Sequence, residues 1–493
     1  MINYDSIKKL KSEKIWFFRF KKFDENRYLI TNDIWYFCFL LNADFLNFIT
    51  WKLNKISKEK YDELSRKLFI KNDWFKKENA VGWKQKSSFL QYWPSLHIIV
   101  LTLRCNHACK YCHAYVSNEK AQGKDMTVEI ARKVVDTIFY TTSNQITIEF
   151  QWWEPLLNFD VLKFIVEYAK LKAHHLKKDL NFALVSNMSL MTEEKFQYIL
   201  ENNIWLSTSL DWDEETHNFN RTFNKGNSYE KVTYWIKRIN DEYKKRGMQN
   251  RIGALTTVTR KTLPKYKELI DTYVGLWLNS IFLRPLNPYW FASKNMDTLW
   301  YSPEEFNEFY NNCLKYIYEL HGKWIYLRES LTTIYLQKVL KNTDPNFLDE
   351  RSPCWATIWQ VAYNYNGNIY TCDEGRMFSE MWDESFYVWS IEKDEKTNYV
   401  NMIDNDTTKT MIKASITDSL PGYNDSVYKV YIWVCPVHNY KHHGNVFPNY
   451  SLDNRIKISY NVLDNIFKNI ENPKYFDIYK NWVWQGDDNK NCF

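Results

Sequence analysis

The sequence predicts an α/β fold built on a parallel sheet, preceded by a small α+β unit and followed by a cysteine-bearing extension. Three observations predict it. Strand-like and helix-like segments alternate six times between about residues 95 and 295. A C-x3-C-x2-C triad directly follows the first strand of that series. Beyond about residue 350 the texture changes to short strands, turns and spaced cysteines.

Residues 1–92 form the first unit. KIWFFRFKKF and RYLITNDIWYFCFLL have the aromatic, β-branched texture of strands, and NADFLNFI and KEKYDELSRKLFI read as helices. Residues 93–297 hold the alternating series: SLHIIVLTL, QITIEFQ, LNFALVSN, WLSTSLD, RIGALTTVT and SIFLRPL as strands, with helical segments such as TVEIARKVVDTIFYTT and NFDVLKFIVEYAKLKAHH between them. Repeated β/α units close into a parallel sheet, doubly wound or a partial barrel, and either collects ligands at the C-terminal ends of its strands. Residues 298–350 read as a helical connector and residues 351–493 as the cysteine-bearing unit.

Composition narrows the function classes. With 65 Lys+Arg against 59 Asp+Glu, the net charge of +6 is small, and the basic residues are interleaved with acidic ones. That pattern is a solvated surface and disfavours nucleic acid as a partner. No apolar run reaches the length of a membrane span, and the charged N-terminus MINYDSIKKLKSEK has no signal-peptide h-region. A cytoplasmic location is the expectation. Nine cysteines in such a chain point to metal or redox chemistry rather than to a disulfide framework.

Tryptophan and glycine are out of proportion. There are 22 Trp and 12 Gly, whereas average usage of roughly 7% would place about 34 glycines in a chain this long. Trp152, Trp153 and Trp212 stand at strand ends, and Trp93 precedes Pro94 just before a strand. These are turning points where glycine supplies positive φ or close backbone approach. The expectation is that many of these tryptophans are glycines read from UGA in the source organism; the alternative is a Trp-rich protein.

The sharpest chemical signal is the triad Cys105, Cys109 and Cys112 in LRCNHACKYCHA. Three thiolates on one tight loop can hold three irons of a cubane [4Fe–4S] cluster and leave the fourth open. A zinc site completed by His107 or His113 is the alternative. The spacing, the strand before it and Tyr111 before the last cysteine resemble the radical S-adenosylmethionine (SAM) superfamily, whose members share a (β/α)6 partial TIM barrel. That resemblance implies SAM bound at the open iron, and Tyr111 near its adenine. IEFQWWEPLL resembles the family's Gly-Gly-Glu-Pro segment: Glu154 and Pro155 match, and Trp152 and Trp153 replace the glycines that orient the SAM amino group. By the same resemblance Ser186 and Asn187 contact SAM, and Ser209 and Asp211 in STSLDW match a Ser-Leu-Asp-Gly strand end. Singly, each of these is a cap or turn residue; their order along successive strand ends raises them.

Cys354 and Cys372 sit in C-x12-G-x4-C, with Gly367 in an Asn-Gly hairpin turn. This is similar to the opening of SPASM and Twitch extensions, which carry auxiliary [4Fe–4S] clusters in peptide-modifying members; Cys435 and Cys492 complete four candidate ligands for one such cluster. Cys38 and Cys313, in aromatic and helical segments, read as core. Over nearly the whole chain, segments such as STSLDWDEETHNFNR and IFLRPLNPYWFA resemble the B-type maturases of His-Xaa-Ser peptide systems. The resemblance implies a ribosomally made peptide as substrate, a paired radical SAM partner and a low-potential electron donor. Sulfatase-maturase-like dehydrogenation of Cys or Ser is a second reading. A catalytically dead peptide-binding homologue is a third, favoured if Trp152 and Trp153 are genuine.

Overall fold

The computed structural model describes residues 13–88, 94–114, 116–248, 251–287, 289–343, 350–392 and 404–485. Trp93 and Cys492 lie outside them.

The N-terminal unit opens with an antiparallel meander, β1 (Arg19–Lys22), β2 (Arg27–Thr31) and β3 (Phe37–Leu41), followed by α1 (Asn42–Ile49), α2 (Lys58–Arg66) and α3 (Phe75–Lys86). RYLITNDIWYFCFLL is thus two strands, paired Arg27 to Leu41 through Thr31 to Phe37. The unit has its own core of Ile30, Leu40, Phe45, Phe48, Leu64 and Phe69, and Cys38 is buried in it.

The centre of the molecule is one ten-stranded sheet. Its parallel run consists of β4 (Leu96–Ile99), β5 (Gln145–Phe150), β6 (Asp179–Val185), β7 (Ile204–Ser209), β8 (Gly253–Thr257), β9 (Ser280–Arg284) and β10 (Arg328–Glu329), neighbours in that order. Connecting helices cover it. In α4 (Val128–Ile138), Thr127 caps the first turn by accepting the N–H of Ile130 at 3.2 Å. Its Ala131, Val134, Val135 and Ile138 are all buried, the i, i+3, i+4, i+7 stripe of a helix lying on a sheet. Each such aliphatic side chain contributes about 1.5–3 kcal/mol by leaving water. Helices α5 (Phe159–Leu176), α6 (Glu193–Glu201), α7 (Glu214–Asn220), α8 (Ser228–Lys245) and α9 (Tyr266–Gly275) complete the β/α series.

Beyond it, α10 (Pro303–His321) starts with a reciprocal capping box between Ser302 and Glu305 and buries Cys313, and α11 (Ser330–Lys341) follows β10. The C-terminal unit then returns to the sheet. β11 (Gln360–Tyr363) lies parallel to β4, with Val361 opposite His97, and β12 (Asn368–Tyr370) and β13 (Tyr387–Ser390) extend the sheet antiparallel. The Asn-Gly turn joins β11 to β12 with Gly367 at φ 83°, where a Cβ would stand 2.6 Å from Ile391. Helices α12 (Asp373–Met377), α13 (Asp406–Ser415) and α14 (Pro436–His443) pack around this extension, and α15 (Asn454–Asn469) lies against α10 and α11.

Fourteen described non-glycine residues have positive φ, and eight of them are tryptophan: Trp35, Trp51, Trp152, Trp153, Trp212, Trp277, Trp324 and Trp382. A left-handed residue with a side chain costs roughly 1–2 kcal/mol. Eight together rival the whole stability of an ordinary domain, roughly 5–15 kcal/mol.

Candidate functional site

The sequence-predicted residues meet at the C-terminal ends of β4 to β7. Cys105, Cys109 and Cys112 lie on the loop leaving β4, and local bonds fix its shape. Cys112 donates its N–H to Cys109 O at 3.0 Å, and residues 108–109 pair antiparallel with residues 221–222. Ala292 N–H reaches Cys112 O at 3.3 Å, clamping the loop from beyond β9.

All three side chains are half-buried, and each thiol titrates above its ordinary value of 9.0. Burial is the first cause in every case. For Cys105 the Cys109 thiol comes next, and for Cys112 the Cys109 thiol also follows burial; the three are close enough to repel as thiolates. N–H donors already face two of the sulfurs. Cys105 Sγ accepts from His107 N at 3.4 Å and Asn187 Nδ2 at 3.9 Å, and Arg221 Nη1 stands 3.9 Å from Cys109 Sγ. Such donors and a nearby guanidinium suit sulfur that carries negative charge, so the residues present fit a thiolate-held cluster. Among the described residues, no three His, Cys, Asp or Glu side chains are placed to share a single ion.

Glu154, at the end of β5, is fully buried. Its carboxylate accepts from Ser186 Oγ at 2.9 Å, Asn187 N at 3.0 Å and Leu156 N at 3.1 Å. Burial pushes its pKa up to about 7, against the pull of those donors. Glu154 therefore ties the end of β5 to the end of β6. Pro155 opens the short helical turn Pro155–Asn158. Asn187 also bonds Asn106 on the cysteine loop at 2.9 Å.

Ser209 is the last residue of β7. Two residues on, Asp211 is fully buried and binds Tyr111 OH, Arg221 Nε at 3.1 Å and Thr257 N at 3.3 Å. Tyr111 is buried too, and the Arg221 guanidinium stands 5.2 Å over its ring. Sequence reasoning missed Arg221. No local motif marks it, and only the pairing of residues 221–222 with the cysteine loop brings it to the site.

Trp152 and Trp153 occupy the turn between β5 and Glu154 with φ of 73° and 56°, two consecutive left-handed residues. The Trp152 indole packs edge-on against His113 at 4.7 Å, and Arg376 stands 4.3 Å over the Trp153 ring. Trp212 follows Asp211 with φ 92°.

A second cysteine cluster lies across the sheet's β11 to β13 extension. Cys354, Cys372 and Cys435 share one small core with Phe378, Phe386 and Val437. Cys372 Sγ caps α12 by accepting Gly375 N at 3.2 Å, and Cys435 Sγ caps α14 by accepting His438 N at 3.4 Å. Both thiols titrate well above 9.0, from burial first and then from Asp373 and Glu374 respectively. Between the two cysteine clusters sits buried Tyr289, 6.1 Å from His113 and 3.4 Å from His438 Nδ1. A cavity of about 150 Å³ at the end of β9 is lined by Arg284, Asn287, Glu374, Trp433, His438 and Arg455.

Residues 99–270 match the family model of the radical SAM superfamily. An uncharacterized protein of Methanocaldococcus jannaschii is 30% identical over 223 residues, 44% of this chain and 71% of that one. The chain belongs to the radical SAM superfamily. Other similar members are the radical SAM cyclopropyl synthase TigE of Paramaledivibacter caminithermalis and a cysteine-type anaerobic sulfatase-maturating enzyme of Clostridium perfringens. The first is 25% identical over 41% of this chain and 43% of its own length, the second 24% identical over 55% and 71%. Among solved structures, native anSMEcpe with bound AdoMet shares the fold at TM-score 0.62 and 15% identity, covering 78% of this chain and all of that one. Streptococcus suis SuiB bound to precursor peptide SuiA gives 0.51 at 12% identity, covering 88% and 98%. The mixed α/β architecture with its parallel-dominated sheet is that of a radical SAM partial barrel. The family implies a [4Fe–4S] cluster and SAM, and no described helix is long and apolar enough to cross a membrane.

Proposed function

We propose that this chain is a radical SAM maturase that modifies a ribosomally made peptide in the cytoplasm. The observation that carries the reading is the convergence of the Cys105, Cys109 and Cys112 loop with Glu154, Ser186, Asn187 and Asp211 at the C-terminal ends of the parallel strands. Cys105, Cys109 and Cys112 would hold the catalytic cluster. With SAM and a low-potential electron, that cofactor supplies a 5′-deoxyadenosyl radical able to take a hydrogen atom from the peptide.

The protein's own residues do the rest. The N–H donors on Cys105 Sγ and the guanidinium beside Cys109 Sγ stabilise thiolate character. Glu154, with the backbone of residues 152 and 153, would hold the SAM amino group, and Ser186, Asn187 and Ser209 would contact the rest of the molecule. Asp211 locks Tyr111 and Arg221 against the cysteine loop. Cys354, Cys372 and Cys435, with Cys492, would hold one auxiliary cluster. A polypeptide substrate is supported by the likeness to a sulfatase-maturating enzyme and to SuiB bound to its precursor peptide. The His-Xaa-Ser type, with a paired radical SAM partner, remains the specific form proposed.

In anaerobically reconstituted protein, Cys109→Ala should abolish reductive cleavage of SAM to 5′-deoxyadenosine. Retained deoxyadenosine in that variant would defeat the cluster assignment. One observation favours a second reading: the two half-buried indoles in the SAM turn. If they are the natural residues, the barrel binds a peptide or partner without cleaving SAM.

A further inference from the structure

We infer that Trp35, Trp51, Trp152, Trp153, Trp212, Trp277, Trp324 and Trp382 are glycines in the protein made by its own host, and that the space opened at residue 153 is a carboxylate-binding site built on Arg376.

Four of the eight positions repeat one backbone motif. At each, the tryptophan N–H bonds back three residues and the next N–H bonds back five. Trp51 and Lys52 bond Phe48 O and Asn47 O at 3.1 and 2.8 Å; Trp277 and Leu278 bond Val274 O and Tyr273 O at 3.0 and 3.1 Å. Trp324 and Ile325 bond His321 O and Leu320 O at 3.1 and 3.0 Å, and Trp382 and Asp383 bond Ser379 O and Phe378 O, both at 3.1 Å. This is the left-handed helix ending whose turning residue is usually glycine. Gly247 closes α8 identically, bonding Lys244 O at 3.1 Å with Met248 on Tyr243 O at 2.9 Å. Leu68 and Lys177 show that a side chain is tolerated there singly. What needs explaining is four indoles, three of them largely in solvent: Trp277, Trp324 and Trp382 are 72%, 97% and 98% exposed, while Trp51 packs against the N-terminal core. Trp35 turns the β2–β3 hairpin at φ 68°, and Trp152 and Trp153 require two successive left-handed residues. A UGA codon read as glycine in the host satisfies every one of these backbones at once.

The second half rests on a different observation. Arg376, on α12, has no solvent exposure, and its Nε, Nη1 and Nη2 all lack a hydrogen-bond partner. Its guanidinium faces the Trp153 ring. Asp373 and Glu380 are near enough to act on its charge, yet neither bonds it. Two further unpartnered buried atoms, Gln151 Nε2 and His113 Nε2, flank the same turn. A buried guanidinium without acceptors is not a state folds retain. Once residue 153 has no side chain, the fork opens onto the turn, and its planar donors match a carboxylate. The carboxylate comes either from SAM's methionyl group or from an acidic side chain or C-terminus of the peptide. The site rests on the radical SAM reading for its place beside SAM.

A peptide mass map of protein isolated from its own host should show glycine at all eight positions. Tryptophan at Trp324 or Trp382 overturns the first half, and tryptophan at 153 overturns both. The second test uses holoenzyme carrying glycine at 152, 153 and 212. That parent must form deoxyadenosine, and its failure would count against the radical SAM reading itself. Arg376→Gln should weaken SAM binding by at least about tenfold in equilibrium dialysis, with part recovered in Arg376→Lys, if the carboxylate is SAM's. If SAM binding is unchanged, acetate should raise the melting temperature of the parent and not of Arg376→Gln, which assigns the carboxylate to the peptide. Independence of both readouts from Arg376 overturns the site. Should Arg376→Gln not fold, Arg376→Lys carries the same two measurements.

Discussion

The two cysteine clusters are built in opposite ways. Cys105, Cys109 and Cys112 come from eight consecutive residues of one loop, fixed by its own turn and by residues 221–222. Cys354, Cys372 and Cys435 come from three separate stretches of chain: the Cys372 and Cys435 sulfurs each accept from the first turn of their own helix, and Cys354 donates its backbone N–H to Ser415 Oγ at 2.9 Å. Only the tertiary fold brings them into one core. The first cluster is thus preorganised by local chain geometry and the second by the docking of α12, α13 and α14. Trp152 and Trp153 also fill the turn beside the first, while Trp382 stands on the surface at the end of the helical turn Phe378–Met381 that packs into the second.

The largest effect should separate the clusters by chemistry. Cys105→Ala is expected to reduce deoxyadenosine formation to background and to lose the iron and sulfide of the catalytic cluster. Cys372→Ala should keep SAM cleavage while losing the remaining iron and the modified peptide. Iron and sulfide counts alongside deoxyadenosine by chromatography check both. Equal loss of SAM cleavage in the two variants would mean the clusters are not independent.

The same contrast explains how much was legible in the sequence. The parallel series was readable because each strand and helix carries its own period, as the Ala131, Val134, Val135, Ile138 stripe does. The first cysteine cluster was readable because its ligands share one loop. The second was legible only through its Asn-Gly hairpin and a resemblance, since Cys435 lies far along the chain from Cys372. Arg221 and Arg376 carried no local signal, as both matter through partners that topology alone supplies. The helix ends at Trp51, Trp277, Trp324 and Trp382 were within reach of helix-capping grammar, which expects glycine just past the last turn.

Asp211 tests how firmly the first cluster's loop is held. Asp211→Asn keeps the shape but leaves the Arg221 guanidinium without its buried countercharge. Breaking such a pair costs about 3–5 kcal/mol, which urea unfolding of the apoprotein would register. Tyr111→Phe removes one hydrogen bond to the same carboxylate and should cost less, about 1–2 kcal/mol. A loss below 1 kcal/mol in Asp211→Asn would show that the loop is held by its backbone alone.

The seam between the regions is β4 against β11, and His97 sits in it, fully buried. Its Nδ1 lies 3.2 Å from Tyr363 OH and its Nε2 3.2 Å from Pro94 O. Burial lowers its pKa from 6.5 to about 3, so the folded protein keeps the ring neutral while the unfolded chain takes up a proton below pH 6.5. The stability this gives is complete above pH 6.5 and is lost as pH falls toward 3. Between pH 6.5 and 5 the loss is about 2 kcal/mol. His97→Gln should remove that component of the pH slope in urea melts; an unchanged slope would place the acid sensitivity elsewhere.

The smallest effect distinguishes strain from obstruction. In protein carrying the 22 tryptophans, Trp382→Gly relieves one left-handed residue at a fully exposed site. The gain should be about 1 kcal/mol, the left-handed penalty less glycine's extra chain entropy, with no change in SAM binding. The double substitution Trp152→Gly and Trp153→Gly relieves strain at the turn beside Glu154 as well, and should in addition restore SAM binding measured by dialysis. Stabilisation without recovered SAM binding would mean that the first cluster is closed by more than its two indoles. The difference between the two regions would then lie in the loop itself.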